Sequence, residues 1–327
     1  MPLYMLAADH RGWLLRALAA ELPRTSDETA TLARRVKQLC FEAVVAAVEH
    51  GVARADAALL IDEELGAEVA VRAQEAGLTV AMPIEKPDQE VFQPEYGESW
   101  LEHVVAMDPD LPKVLIRHNP STNRSDLEEQ LRRVRQVSDT LHRAGRPLML
   151  ELLVPPTPAQ LEDAGGDQRV FDECWRADLT VGAVREILAA GVRVEIWKVE
   201  GMTTRAQAAL LARACQSGGP SRCIVLGRNA GWEQVERWLG NAAASPGYDG
   251  FAIGRTLWFD TAVEFFRGSL SWGEAVSRVA DAYRRAVDVY ESRGEGGPVP
   301  SDLGNAGRGS SVRFGMDPGA GSGGEIG

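Results

Sequence analysis

Lysine is scarce here: of 35 basic residues only Lys37, Lys86, Lys113 and Lys198 are lysines. Where a cation alone is needed this chain uses arginine, so a lysine inside an apolar run suggests chemistry a guanidinium cannot perform, because it does not deprotonate. Lys198 sits in IWKVEG, where strand alternation puts Val194, Ile196, Lys198 and Glu200 on one face. If that face is buried, desolvation lowers the lysine pKa, and a neutral amine can attack a ketone carbonyl. The plainer reading is an ion pair with Glu200 or Glu151. Glu151, in MLELLVP, is a carboxylate inside another apolar run. Burial raises its pKa and a nearby cation lowers it. It suits proton transfer to a sugar hydroxyl, or it is simply the partner of Lys198.

Other polar groups recur at the ends of apolar runs. Lys113 opens PKVLIRHNP, with Leu115 and Arg117 on its face. It lies deep beside Lys198, where it would bind an anion, or it is a solvated strand start. Gly227-Arg228 and Gly254-Arg255 each close an apolar run just before a helix. Glycine admits backbone N–H groups to a phosphate, the helix N-terminus favours the charge, and arginine adds a bidentate donor. The alternative is two tight turns with surface arginines. Asp9-His10-Arg11-Gly12 offers Asp9 for a hydroxyl and Arg11 for a carboxylate or phosphate, or else a helix cap and a rim ion pair. Glu63-Glu64 and Glu85-Lys86 read as rim charges of low specificity. The five histidines, His10, His50, His103, His118 and His142, make no HxH or HExxH pattern, so no metal is expected. No G-x-S-x-G marks a serine nucleophile.

Eight short apolar runs must position these groups: 3–9, 57–63, 79–86, 112–118, 147–154, 193–200, 223–228 and 250–256. Helical periodicity fills the spaces between them, most clearly at 27–50, 66–76, 124–144, 179–190, 204–216, 232–243 and 271–292. Gly51, Gly77, Gly145 and Gly191 stand where helices should end. Strands this apolar are buried on both faces of a parallel sheet. Eight alternations predict a closed (β/α)8 barrel, a TIM barrel, over residues 1–293, with active groups at the C-terminal strand ends. An open doubly wound sheet lacks the G-x-G-x-x-G it would need. Residues 294–327, rich in Gly and Ser, are expected to be a disordered tail.

A net charge of −12 repels nucleic acid and anionic membranes, so a small-molecule ligand is expected. Cys40, Cys174, Cys215 and Cys223 form no CxxC pair, which predicts reduced thiols in the cytoplasm. No run approaches a membrane span, and the assembly state is left open, with a homo-oligomer possible.

LAADHRG, LLIDEELGAEVA, PIEK, PEYGESW, PKVLIRHNP, MLELLVPPTPAQL, IWKVEG, CIVLGR and GFAIGRT follow one another from residue 3 to about 290. Together they resemble the 2-deoxy-5-keto-gluconate 6-phosphate aldolase domain of inositol catabolism, a DUF2090-like class I aldolase. More distantly they are similar to class I tagatose-bisphosphate and sulfosugar-phosphate aldolases. The resemblance implies Lys198 as a Schiff-base lysine, Glu151 as the acid/base, and Asp9, Lys113 and Arg255 as pocket residues. It implies a phosphorylated keto-sugar acid as substrate and no cofactor, since the lysine supplies the electron sink. Arg228 and Arg255, with Gly227 and Gly254, would hold the phosphate, and Arg11 or Arg117 the carboxylate. A sulfosugar or tagatose-phosphate aldolase, a transaldolase, and a non-catalytic sugar-phosphate-binding barrel remain as alternatives.

Overall fold

The computed structural model describes residues 1–23, 25–228 and 230–294. The strands are β1 (Leu3–Ala8), β2 (Ala57–Ile61), β3 (Thr79–Pro83), β4 (Leu111–Arg117), β5 (Met149–Leu153), β6 (Ile196–Glu200), β7 (Arg222–Leu226) and β8 (Tyr248–Ile253). They pair in parallel in sequence order, and β8 closes on β1. The barrel expected from the eight apolar runs is the fold. The expected tail lies, from residue 295 onward, outside the described residues.

Around the strands run α1 (Gly12–Glu21), α2 (Ser26–Glu49), α3 (Glu63–Glu75), α4 (Trp100–Met107), α5 (Arg124–Arg143), α6 (Pro158–Asp163), α7 (Gln168–Cys174), α8 (Arg176–Ala189), α9 (Arg205–Gln216), α10 (Trp232–Ala243), α11 (Arg255–Phe266) and α12 (Trp272–Gly294). Among the described residues no helix is long and apolar enough to cross a membrane. Gly77, Gly145 and Gly191 take left-handed φ of 71°, 68° and 81° just past α3, α5 and α8, where a residue with a Cβ would be strained. Several predicted runs overshoot their strands: the run at 79–86 stops at Pro83, that at 57–63 at Ile61 and that at 250–256 at Ile253, while the run at 193–200 starts only at Ile196. Glu85 instead sits on a turn that bridges back to Pro94.

Side-chain alternation sorts each strand into an outer and an inner face. Outward residues such as Leu59, Val114, Leu150, Trp197 and Val225 join the layer beneath the helices. Inward residues Leu3, Met5, Leu60, Leu111, Met149, Ile196 and Ile224 form a separate apolar plug. Each such side chain, fully buried, stabilises the fold by about 1.5–3 kcal/mol. One inward step above Leu111, Met149 and Ile196 come Lys113, Glu151 and Lys198. The charged layer therefore stands on a dry apolar floor.

Candidate active site

A cavity of about 480 Å³ opens at the C-terminal ends of the strands, the face where barrels carry their ligands. At its base, strand register sets Glu151 beside Lys198, and the Lys198 ammonium lies 2.8 Å from Glu151 Oε1. Of the two partners open in the sequence, Glu151 is the one it takes. Glu200 is instead paired with Arg176 at 2.5 Å and Arg228 at 3.5 Å.

Glu151 also faces a second lysine. The Lys113 ammonium is 3.0 Å from Glu151 Oε2, 2.8 Å from Asp9 Oδ2 and 2.5 Å from Glu85 Oε1. Lys113 is thus deep in the barrel, fully buried, and not a solvated strand start. Burial works against its charge, but Asp9, Glu151 and Glu85 outweigh that and lift its pKa well above the usual lysine value. The three carboxylates favour the charged form of Lys113, which is not the nucleophilic one. Burial alone would raise the carboxylate pKa values. For Asp9 and Glu151 the charges of Lys113 and Lys198 win, and both lie below their ordinary range. For Glu85 burial wins over Lys113, and its pKa is raised.

Asp9 caps no helix: α1 begins after Arg11 with no side-chain cap. Arg11 itself is buried, donating to Glu95 and, at 2.8 Å, to the Glu85 carbonyl. That engagement ties its guanidinium to the protein, although Arg11 also lines the cavity. Arg117, at the top of β4, is exposed, lines the cavity and donates a 3.1 Å hydrogen bond to the Gln89 carbonyl, with no carboxylate in ion-pair contact among the described residues.

The two Gly-Arg turns differ. Arg255 opens α11, its guanidinium 4.4 Å above the Trp13 ring, with no carboxylate partner among the described residues. Burial lowers its pKa, and the more distant Asp9 and Glu151 only partly compensate. Gly254 is required before it, because a Cβ there would lie 2.7 Å from the Ala7 carbonyl oxygen and 3.2 Å from the His10 ring. Arg228 also lines the cavity, but its guanidinium is held by Asp172 of α7 and by Glu200, and stacks 4.7 Å over Trp238. Its backbone is left-handed, with φ of 45°. The Arg228 side chain thus already has protein carboxylates beside it, which Arg255 lacks among the described residues. Gly227, itself buried, lines the cavity wall.

Three participants escaped sequence reasoning. Glu85 passed as a rim charge, yet it is a third carboxylate on Lys113. Asp172 lies on a short helix with no visible periodicity. Lys37 lies on the buried face of α2 with Ala33, Val36 and Cys40, and that placement is the one sequence signal for it.

Residues 1–294 match the family described as "Uncharacterized protein conserved in bacteria (DUF2090)", and the chain belongs to that family. No curated protein matches. Among solved structures, a Corynebacterium glutamicum protein is similar at 16% identity and a TM-score of 0.55, over 88% of this chain and 85% of that one. A Schiff-base-forming fructose-1,6-bisphosphate aldolase is similar at 12% identity and 0.53, over 88% and 94%. The fructose-bisphosphate aldolase of Plasmodium falciparum is similar at 13% identity and 0.62, over 90% and 91%. At such identities the likeness is one of fold.

Proposed function

We propose that this member of the DUF2090 family is a Schiff-base aldolase that cleaves 2-deoxy-5-keto-gluconate 6-phosphate to dihydroxyacetone phosphate and malonate semialdehyde. The observation that carries the reading is the Lys198–Glu151–Lys113–Asp9 chain on the apolar floor, with contacts of 2.8, 3.0 and 2.8 Å. Glu151 is placed to take a proton from Lys198. The freed amine adds to the C5 ketone, and the carbinolamine hydroxyl leaves as water with the proton Glu151 returns. The resulting iminium is the electron sink. Glu151, again a carboxylate, removes the C3 hydroxyl proton, and the C3–C4 bonding pair flows into the iminium. Malonate semialdehyde departs, the enamine is protonated at C4, and water releases dihydroxyacetone phosphate from Lys198.

Lys113 stays charged throughout. Its field holds Glu151 ionised between proton transfers, and Asp9 keeps it in place. Arg255, at the start of α11 just past β8, and Arg117, at the end of β4, stand at opposite strands of the ring, with Lys198 on β6 between them. Two cations flanking the nucleophile suit a substrate with an anion at each end. Arg255 and the α11 N-terminus take the phosphate, and Arg117 takes the carboxylate. The same spacing suits a bisphosphate, the substrate class named for two similar structures. Product analysis with the sugar acid phosphate and with fructose 1,6-bisphosphate separates the two. Malonate semialdehyde from the first, without cleavage of the second, is the expected result.

A further inference from the structure

Lys37 has no step in this mechanism, yet it is fully buried. From α2 its ammonium reaches three oxygens: the Ala8 carbonyl at 2.5 Å, the His10 carbonyl at 2.8 Å and Asp62 Oδ2 at 2.5 Å. Asp62 is itself fully buried and caps α3, its Oδ1 accepting the Leu65 N–H at 2.8 Å. Ala8 and His10 are the two neighbours of Asp9. The β1 ladder to β8 ends at Leu6 and the ladder to β2 ends at Ala8, so Asp9 stands beyond both. Just below, Trp258 Nε1 holds the Ala7 carbonyl at 3.0 Å. The sheet thus stops short of Asp9, and Lys37 supplies hydrogen bonds on either side of it.

We propose that the Lys37–Asp62 pair is a positioning device for Asp9. By fixing the carbonyls on both sides, it aims the carboxylate at Lys113. Stability is a poor reason to keep such a pair, because replacing a buried ion pair by uncharged residues of similar volume is often neutral or stabilising. Aim is a better reason, because a displacement of about 1 Å at a catalytic group costs as much as 100-fold in rate. The kinetic part of this inference rests on the aldolase reading; the structural part does not.

The test is the double substitution Lys37→Met with Asp62→Asn, which leaves no lone buried charge and keeps an acceptor for the Leu65 N–H. Its crystal structure is expected to show the Asp9 carboxylate withdrawn from Lys113. Its kcat should fall about 10- to 100-fold, with KM within about 3-fold because Arg255 is untouched. In an Asp9→Asn background the same substitutions should cost less than about 2-fold more, since a device acting through Asp9 has nothing left to aim. An Asp9–Lys113 contact intact in the variant, or losses that multiply in that background, would overturn the proposal. If the Met variant does not fold, Lys37→Gln with Asp62→Asn still donates to one carbonyl and should lose about 3- to 10-fold in kcat; an unchanged kcat would equally overturn it. A wild-type protein that gives no borohydride adduct removes the aldolase reading alone, and the variant's crystal structure still decides what Lys37 does.

Discussion

Gly227-Arg228 and Gly254-Arg255 look alike in sequence, each closing an apolar strand ahead of a helix, and the fold treats them in opposite ways. Arg228 is engaged by the protein: Asp172 and Glu200 take its two terminal nitrogens and Trp238 its face. Arg255 meets the Trp13 ring and the cavity, with no ion-pair partner among the described residues. The difference comes from what the facing loop supplies. The segment between β5 and α8 carries α7 and sets Asp172 against Arg228, whereas the first turn of α1 presents Trp13 to Arg255. An arginine becomes an anion site only where the protein has not already provided the anion.

Glu151→Gln gives the scale for the largest effect, because it strikes the chemical step. It should lower kcat by about 10²- to 10⁴-fold with little change in KM; steady-state kinetics showing a KM effect instead would move Glu151 into binding. Arg255→Ala should do the reverse. A hydrogen bond to a charged group contributes roughly 1.5–3 kcal/mol, and a phosphate that does not react is held equally in ground and transition states. KM should therefore rise about 10- to 150-fold while kcat falls much less. Loss of kcat at constant KM would break the contrast between the two arginines.

Arg228→Ala sharpens the contrast from the other side. KM should change by less than about 3-fold, while unfolding free energy falls by about 1–3 kcal/mol, since Asp172 and Glu200 lose a charged donor. Burial raises the Asp172 pKa, but Arg228 and Arg176 outweigh it and depress it in the folded state. A depressed carboxylate contributes stability above its unfolded pKa of about 4, and that contribution fades as pH falls through the folded value. The gap between wild type and Arg228→Ala, measured by denaturant titration, should be full at pH 7 and narrow below about pH 4. A gap that widens in acid, or a KM that rises as far as in Arg255→Ala, would make Arg228 a ligand arginine after all.

The barrel was legible because eight β-rich runs and the glycines after the helices repeat a local pattern. Lysine usage was equally legible: of Lys37, Lys86, Lys113 and Lys198, only Lys86 is exposed and the other three are buried near the site. What stayed hidden depends on distant partners. Glu85 meets Lys113 across 28 residues, Lys37 meets Ala8 across 29 and Asp172 meets Arg228 across 56. No periodicity encodes those meetings. Short helices α6 and α7, and α11 with apolar residues on several sides, carry too weak a stripe to be read.

The central claim is that Lys198, and not its neighbour, forms the covalent intermediate. Borohydride reduction in the presence of 2-deoxy-5-keto-gluconate 6-phosphate, followed by peptide mapping, tests it directly. A single adduct on the peptide containing Lys198, absent from a folded Lys198→Arg protein, is the predicted result. An adduct on Lys113, or cleavage of the substrate with no adduct at all, would contradict it.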